Sequence, residues 1–435
     1  MMATPETGLI GILVLFVLLL VGMPIGVALG LVGLGGLMLM IGAEGAIIKS
    51  GVILFDTLTK YELGTLPLFL LVAHICFSAN ASRDFFDAAA KFFGHRRGGL
   101  AIASVAGCAG FSAINGSSLA TAATMGLVAV PEMRKAGYSD ALATGTVAAG
   151  GTLGPLIPPS SALIVFGIIT EQSIGKLFTA AIIPAFSQMM FYFAVIWLLV
   201  QLRPGIAPAS VRVAWPERWA ALAKIADLAL LIVVMIGGIA LGWFTPSEAA
   251  SVGVAGALLI CRLRGKLNWQ ALHGALHETL KTSGFMLAII VGALIFSVFV
   301  SVSGLAAATA AMITGLGAGK IVTMLLIAVF LLLLGSVLDG LGLMLLTTPI
   351  LLPIVTGLGL SPIWFGIFLV RATEIGFVHP PIGLNLYVIH GIAKDVPIGR
   401  IFKGVVPFLL SDLVHLVLLI LFPMIALFLP KWLGQ

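Results

Sequence analysis

Two stretches of this chain gather neutral oxygens around broken backbone. "SAINGSS" (112–118) sets Ser112, Asn115, Ser117 and Ser118 close together, and "GTLGPLIPPS" (151–160) interrupts an apolar run with Gly154 and three prolines. The pattern returns as "SVLDG" (336–340), with Ser336 and Asp339, and as "EIGFVHPPIG" (374–383), with Gly376 and a second proline pair, Pro380 and Pro381. Proline in a helix interior removes a donor and clashes with the carbonyl four residues back, costing about 3 kcal/mol. Freed backbone survives at membrane depth only where it is buried in protein or lines a cavity. Hydroxyl, amide and bare carbonyl oxygens suit a hard monovalent cation such as sodium. The stretches lack the carboxylate cluster of a calcium site and the Cys and His cluster of a zinc site. The competing reading is that Gly, Ser and Thr here only let helices pack closely. That explains one residue more readily than a constellation written twice.

The elements around these stretches belong to a membrane. The chain has 435 residues, 60% hydrophobic and 9% charged, against about 25% charged in soluble domains. Apolar runs recur from end to end and leave no room for a soluble domain. The first, 8–22, lacks a basic leader and a cleavage site and reads as a retained helix. Seventeen of the 23 Lys and Arg fall in the connections 83–97, 134–135, 203–224, 262–281 and 394–403. Such clustering marks cytoplasmic loops, so the net charge of +6 does not signal nucleic acid. Cys76, Cys108 and Cys261 form no CxxC pair and read as small core residues.

The chain is a duplication. Pro24 and Pro246 are 222 residues apart, as are Gly154 and Gly376. "SAING" and "SVLDG", like "IGKLFTA" (174–180) and "IGRIFKG" (398–404), are 224 apart. Basic connections flank 100–130 on both sides, so that segment must dip in and return, whereas its counterpart 321–357 lies between poorly charged connections and dips from outside. Opposite topology in two halves is the signature of a secondary transporter with a midplane site. The expected fold is an all-α polytopic membrane protein, an inverted-topology repeat of ten spans with both termini outside. Its re-entrant hairpins are 100–130 and 321–357, and its broken helices 140–169 and 362–393. Segments 177–201 and 404–430 are single crossings, and 44–62 and 266–281 are interfacial arms. Scaffold thus occupies 1–99 and 202–302, and the transport elements 100–201 and 303–435.

Asp339, Arg371, Glu374 and His379 are ionisable groups in or near hydrophobic depth, which by default mark function. Arg371 and Glu374 are three apart, so mutual pairing on one helical face competes with a substrate role.

At these residues the sequence resembles the large membrane subunit of TRAP (tripartite ATP-independent periplasmic) transporters. The resemblance is carried by "FSAINGSSLATAATMG", "GTLGPLIPPSSALIVFGIITEQSIGKLF", "LDGLGLMLLTTPILLPIV" and "EIGFVHPPIGLNLYVIHGIA". It implies an elevator-type, sodium-driven importer of organic acids in the bacterial inner membrane. It implies a soluble periplasmic binding protein that delivers the substrate, and a small four-helix membrane subunit, expected as a separate chain because no such segment precedes Met1. Carried over by motif, one sodium site takes Ser112, Asn115, Gly154, Ile157 and Pro159, mostly through carbonyls. The other takes Asp339, Gly340, Gly376, His379 and Ile382; the family usually has Thr where this chain has His379. Ser117, Ser118, Arg371, Glu374 and Asn385 are the candidate substrate residues, for which sialic acid, C4-dicarboxylates and keto acids all qualify. Two rivals remain open. One is a binding-protein-independent sodium–dicarboxylate symporter of related architecture. The other is an intramembrane enzyme, disfavoured by the lack of HExxH, GxSxG or a facing Asp pair. A channel is disfavoured by the inverted broken helices.

Overall fold

Glycine and proline punctuate this chain, and they set the helix ends in a computed structural model that describes residues 4–78, 81–210, 212–315, 317–380 and 382–435. Pro381, half of the second proline pair, lies outside the described residues. The first half runs α1 (Pro5–Leu20), α2 (Ile25–Thr59), α3 (Thr65–Ser78), α4 (Ala81–Phe93), α5 (Gly99–Asn115), α6 (Ser118–Lys135), α7 (Asp140–Gly151), α8 (Ser161–Thr170) and α9 (Ile174–Leu202). The second runs α10 (Trp215–Ala240), α11 (Pro246–Leu263), α12 (Trp269–Val302), α13 (Leu305–Gly315), α14 (Lys320–Gly335), α15 (Gly340–Gly357), α16 (Pro362–Gly376), α17 (Leu384–Ile392) and α18 (Ile398–Leu421). The order of α1–α9 recurs as α10–α18, and α19 (Met424–Trp432) follows. Both hairpin positions are helix–turn–helix units, α5–α6 and α14–α15, and both broken positions are interrupted helices, α7–α8 and α16–α17.

Among the described residues eight segments are long and apolar enough to cross a membrane, α7 and α8 together counting as one, or nine if α3 and α4 also form one span. The 16-residue α1, expected as the first span, covers only about 24 Å of helix.

Three expectations are corrected. The crossing at 404–430 is two helices, because Pro423 disfavours helical backbone at Phe422, whose φ and ψ are −126° and 73°. The basic connection 83–97 is largely the amphipathic helix α4, and part of 303–320 is α13. The second arm is not a separate element, since 269–281 opens α12 without a break, whereas Gly42 (φ 80°, ψ 161°) kinks α2 and sets the stretch after it apart as a second helix.

The two halves pack into each other. α7 lies along α18, and α6 against α17. A Cβ on Gly145 would meet the Gly404 carbonyl carbon at 2.3 Å, so α7 and α18 touch backbone to backbone. At one end Arg134 bonds both oxygens of Asp395, and its Nε lies 2.9 Å from Asp140 Oδ1. The hydrogen bonds from Arg134 hold the Asp395 carboxyl below the usual carboxylate range. This network ties α6, α7 and the segment after α17 into one body.

Candidate functional site

The first hairpin tip forms because Gly116 adopts a left-handed φ of 62° and closes α5, its N–H donating to the Ser112 carbonyl at 2.8 Å. Ser117 then caps α6, accepting from the Ala120 N–H. Facing the tip, α7 stops at Gly151, a 3-10 turn covers Gly154–Leu156, and Ile157 is extended (φ −89°, ψ 120°), as a residue before proline prefers. Tip and break meet closely. A Cβ on Gly154 would fall 2.8 Å from the Ser117 carbonyl carbon, and one on Gly116 would fall 2.5 Å from the Pro159 carbonyl oxygen. The Ser161 hydroxyl donates to the Gly116 carbonyl at 3.4 Å, so the tip is also held by the start of α8. Ser112 is buried, with its hydroxyl 3.3 Å from that of Thr121.

The second junction repeats this with a shift of position. Asp339 caps α15, its carboxylate accepting the Gly342 N–H at 3.1 Å. A Cβ on Gly376 would lie 2.6 Å from the Gly335 carbonyl carbon, and one on Gly340 would lie 3.1 Å from Thr373 Cγ2. The His379 N–H bonds the Gly376 carbonyl at 3.2 Å, and Gly383 (φ 63°) opens α17. His379 and Ile382 are half-buried in this break. Ser336 turns away, its hydroxyl donating to the Leu333 carbonyl at 2.8 Å.

Both tips wall one cavity of about 300 Å³. Asn115, Ser117 and Ser118 line it from the first tip, and Asp339 and Gly340 from the second. Thr373 and Glu374 of α16 contribute a third side, and His74 of α3 and Thr282 of α12 stand on the remaining wall. Glu374 is buried and accepts a hydrogen bond from Ser118, joining the halves across the cavity.

Two candidate substrate residues lie elsewhere. Arg371 is fully buried and pairs with Asp412 of α18, not with Glu374 and not with the cavity. Asn385 is buried against α7, its amide donating to the Ala148 carbonyl at 3.3 Å. Sequence reasoning missed His74, Thr282 and Thr373. His74 carried a readable signal, an ionisable side chain within an apolar span; the threonines carried none. His74 Nδ1 lies 3.0 Å from Thr279 Oγ1, which itself donates to the Ala275 carbonyl.

A family model described as the tripartite ATP-independent periplasmic transporter, DctM component, matches residues 12–425. The chain is similar to the C4-dicarboxylate TRAP transporter large permease protein DctM of Pseudomonas aeruginosa. They are 35% identical over 402 residues, covering 92% of this chain and 93% of that protein. It is 32% identical over 418 residues to the sialic acid TRAP transporter large permease protein SiaM of Vibrio cholerae, covering 95% and 96% of the two chains. Among solved structures, the Alcanivorax borkumensis YdaH transporter superposes with a TM-score of 0.63 at 17% identity, over 87% of this chain and 88% of that one.

Proposed function

We propose, from the premise that the chain belongs to the tripartite ATP-independent periplasmic transporter family as a DctM component, that it imports an organic acid driven by sodium. It is a multi-pass membrane permease and not an enzyme. In the proposed cycle a periplasmic binding protein hands the substrate to the chain in the inner membrane, with both termini periplasmic. A small membrane subunit completes the scaffold, and the transport elements move as an elevator.

One observation carries the coupling. Residues 116–118 and 340 belong both to the tip–break junctions and to the wall of the cavity, and Asn115 and Asp339 beside them line that wall too. Sodium held by Ser112, Asn115 and the carbonyls of Gly154, Ile157 and Pro159 would fix the first tip onto its break. Asp339, with the backbone of Gly340, Gly376, His379 and Ile382, would do the same at the second. The donor sets fit a hard cation, because they are oxygens and each junction already brings backbone within reach of backbone. Fixing the tips completes the cavity wall, so ion binding and substrate binding share a part.

The tips also support an acidic substrate. Ser117–Ala120 and Asp339–Leu341 are the starts of α6 and α15, and both open onto the cavity. Helix N-termini carry partial positive charge and unpaired N–H groups, which attract carboxylates. Relatives named for C4-dicarboxylate and sialic acid transport agree with an organic acid.

Proteoliposomes containing this chain and its small subunit are expected to import negligible labelled dicarboxylate or sialic acid until a cognate binding protein is added. Rapid uptake without that protein would instead favour the self-sufficient symporter.

A further inference from the structure

Between α9, α16 and α18 lies a polar cluster that the proposed transport sites do not use. Gln188 sits midway along α9 and donates from Nε2 to Asp412 Oδ1 of α18 at 2.8 Å. Arg371 of α16 binds the same carboxylate. Ser187 Oγ lies 2.8 Å from His415 Nε2. Tyr192, with Arg371 and Asp412 as charged neighbours, has its hydroxyl 2.8 Å from that of Thr152 at the end of α7. The Thr152 hydroxyl also donates to the Ala149 carbonyl at 2.7 Å.

The position of this cluster is specific. Gln188 and Asp412 are 224 residues apart, the offset that relates α9 to α18. They are therefore equivalent residues of the two halves. This hydrogen bond joins corresponding positions of the two halves directly. From it the cluster reaches both breaks. Thr152 is two residues before Gly154, and Arg371 is five before Gly376 and one helical turn before Glu374. The halves are chemically unequal here, since Ala149 and Gln188 stand where the second half has Arg371 and Asp412.

The cluster is also costly. Arg371, Asp412 and Gln188 are all fully buried. Burying an ion pair is costly, and apolar residues of similar shape often replace one without loss of stability. Packing alone gives no reason to keep it.

We propose that the Gln188–Asp412–Arg371 cluster positions the two tip–break junctions relative to one another, so that occupancy of one cation site favours occupancy of the other. Arg371 and Asp412 set how α16 lies on α18, and hence where Gly376 meets Gly335; Tyr192 sets the end of α7, and hence where Gly154 meets Ser117. These are positioning residues, with no contact to ion or substrate. The inference rests on the two-site sodium reading.

The test compares the complete transporter carrying the double substitution Arg371→Met/Asp412→Leu with wild type, using sodium titrations at constant ionic strength with choline. Two readouts are taken: initial uptake rate, and the rise in melting temperature that sodium alone produces. The double variant is expected to fold and remain sodium-dependent. Its half-maximal sodium concentration should rise at least fivefold, with the Hill slope falling towards 1, whereas a purely structural role leaves the shape of the curve unchanged. Should the double variant fail to fold, Gln188→Leu, which keeps the ion pair, is expected to lower the Hill slope. A sodium-dependent variant with wild-type half-saturation and slope overturns the proposal and leaves the sodium reading standing. Wild-type uptake and melting that ignore sodium overturn the sodium reading itself.

Discussion

Gly376→Val, and separately Gly154→Val, is expected to reduce uptake by more than a hundredfold while folded protein is still recovered. A Cβ at 376 would stand 2.6 Å from the Gly335 carbonyl carbon and one at 154 would stand 2.8 Å from that of Ser117. Both obstacles are backbone, so no rotamer change relieves them; the hairpin must back away. Each hairpin ends in the tip that closes the cavity, and a displacement of about 1 Å in a positioning element is enough to cost two orders of magnitude in a rate. Alanine at either position should give an intermediate loss, since it forces the same shift with less bulk. Uptake measured beside a size-exclusion profile decides the matter, and wild-type transport by either valine variant would mean that the close approach has no role.

The parts of this arrangement that were legible in the sequence are those that break a local rule. Two prolines and a glycine in an apolar run announce Gly154–Pro159 wherever the chain packs, and a constant offset makes its twin at Gly376 visible. The element order confirms the correspondence down to α4 and α13, which neither periodicity nor hydropathy had separated from their connections. The pairing of Arg371 was not legible. Three-residue spacing makes Glu374 a plausible partner on the helix surface, but α16 turns the two side chains towards different neighbours. Asp412 lies 41 residues on, and only the packing of α18 brings it near. That His74 and Thr282 share one wall was hidden for the same reason, since they come from helices far apart in sequence, although His74 alone stands out as an ionisable group in an apolar span.

The second large effect follows from that pairing. Arg371→Met alone is expected to cost about 3–5 kcal/mol, because it leaves the fully buried Asp412 carboxylate without its counter-charge. The expected observation is a sharp fall in monodisperse yield and melting temperature, relieved when Asp412→Leu is added. If the single variant melts with wild type, the pair is not the principal support of Asp412.

Sodium coupling is the claim on which the account turns, and uptake driven by an imposed ion gradient tests it most directly. Proteoliposomes with the small subunit and binding protein are loaded with potassium and diluted into sodium or choline at equal ionic strength. An inward sodium gradient should drive accumulation of labelled substrate, with a steep dependence on sodium if both junctions bind it as proposed. Choline should support none. Equal accumulation in both media would contradict the assignment of the two tip–break junctions as coupled sodium sites.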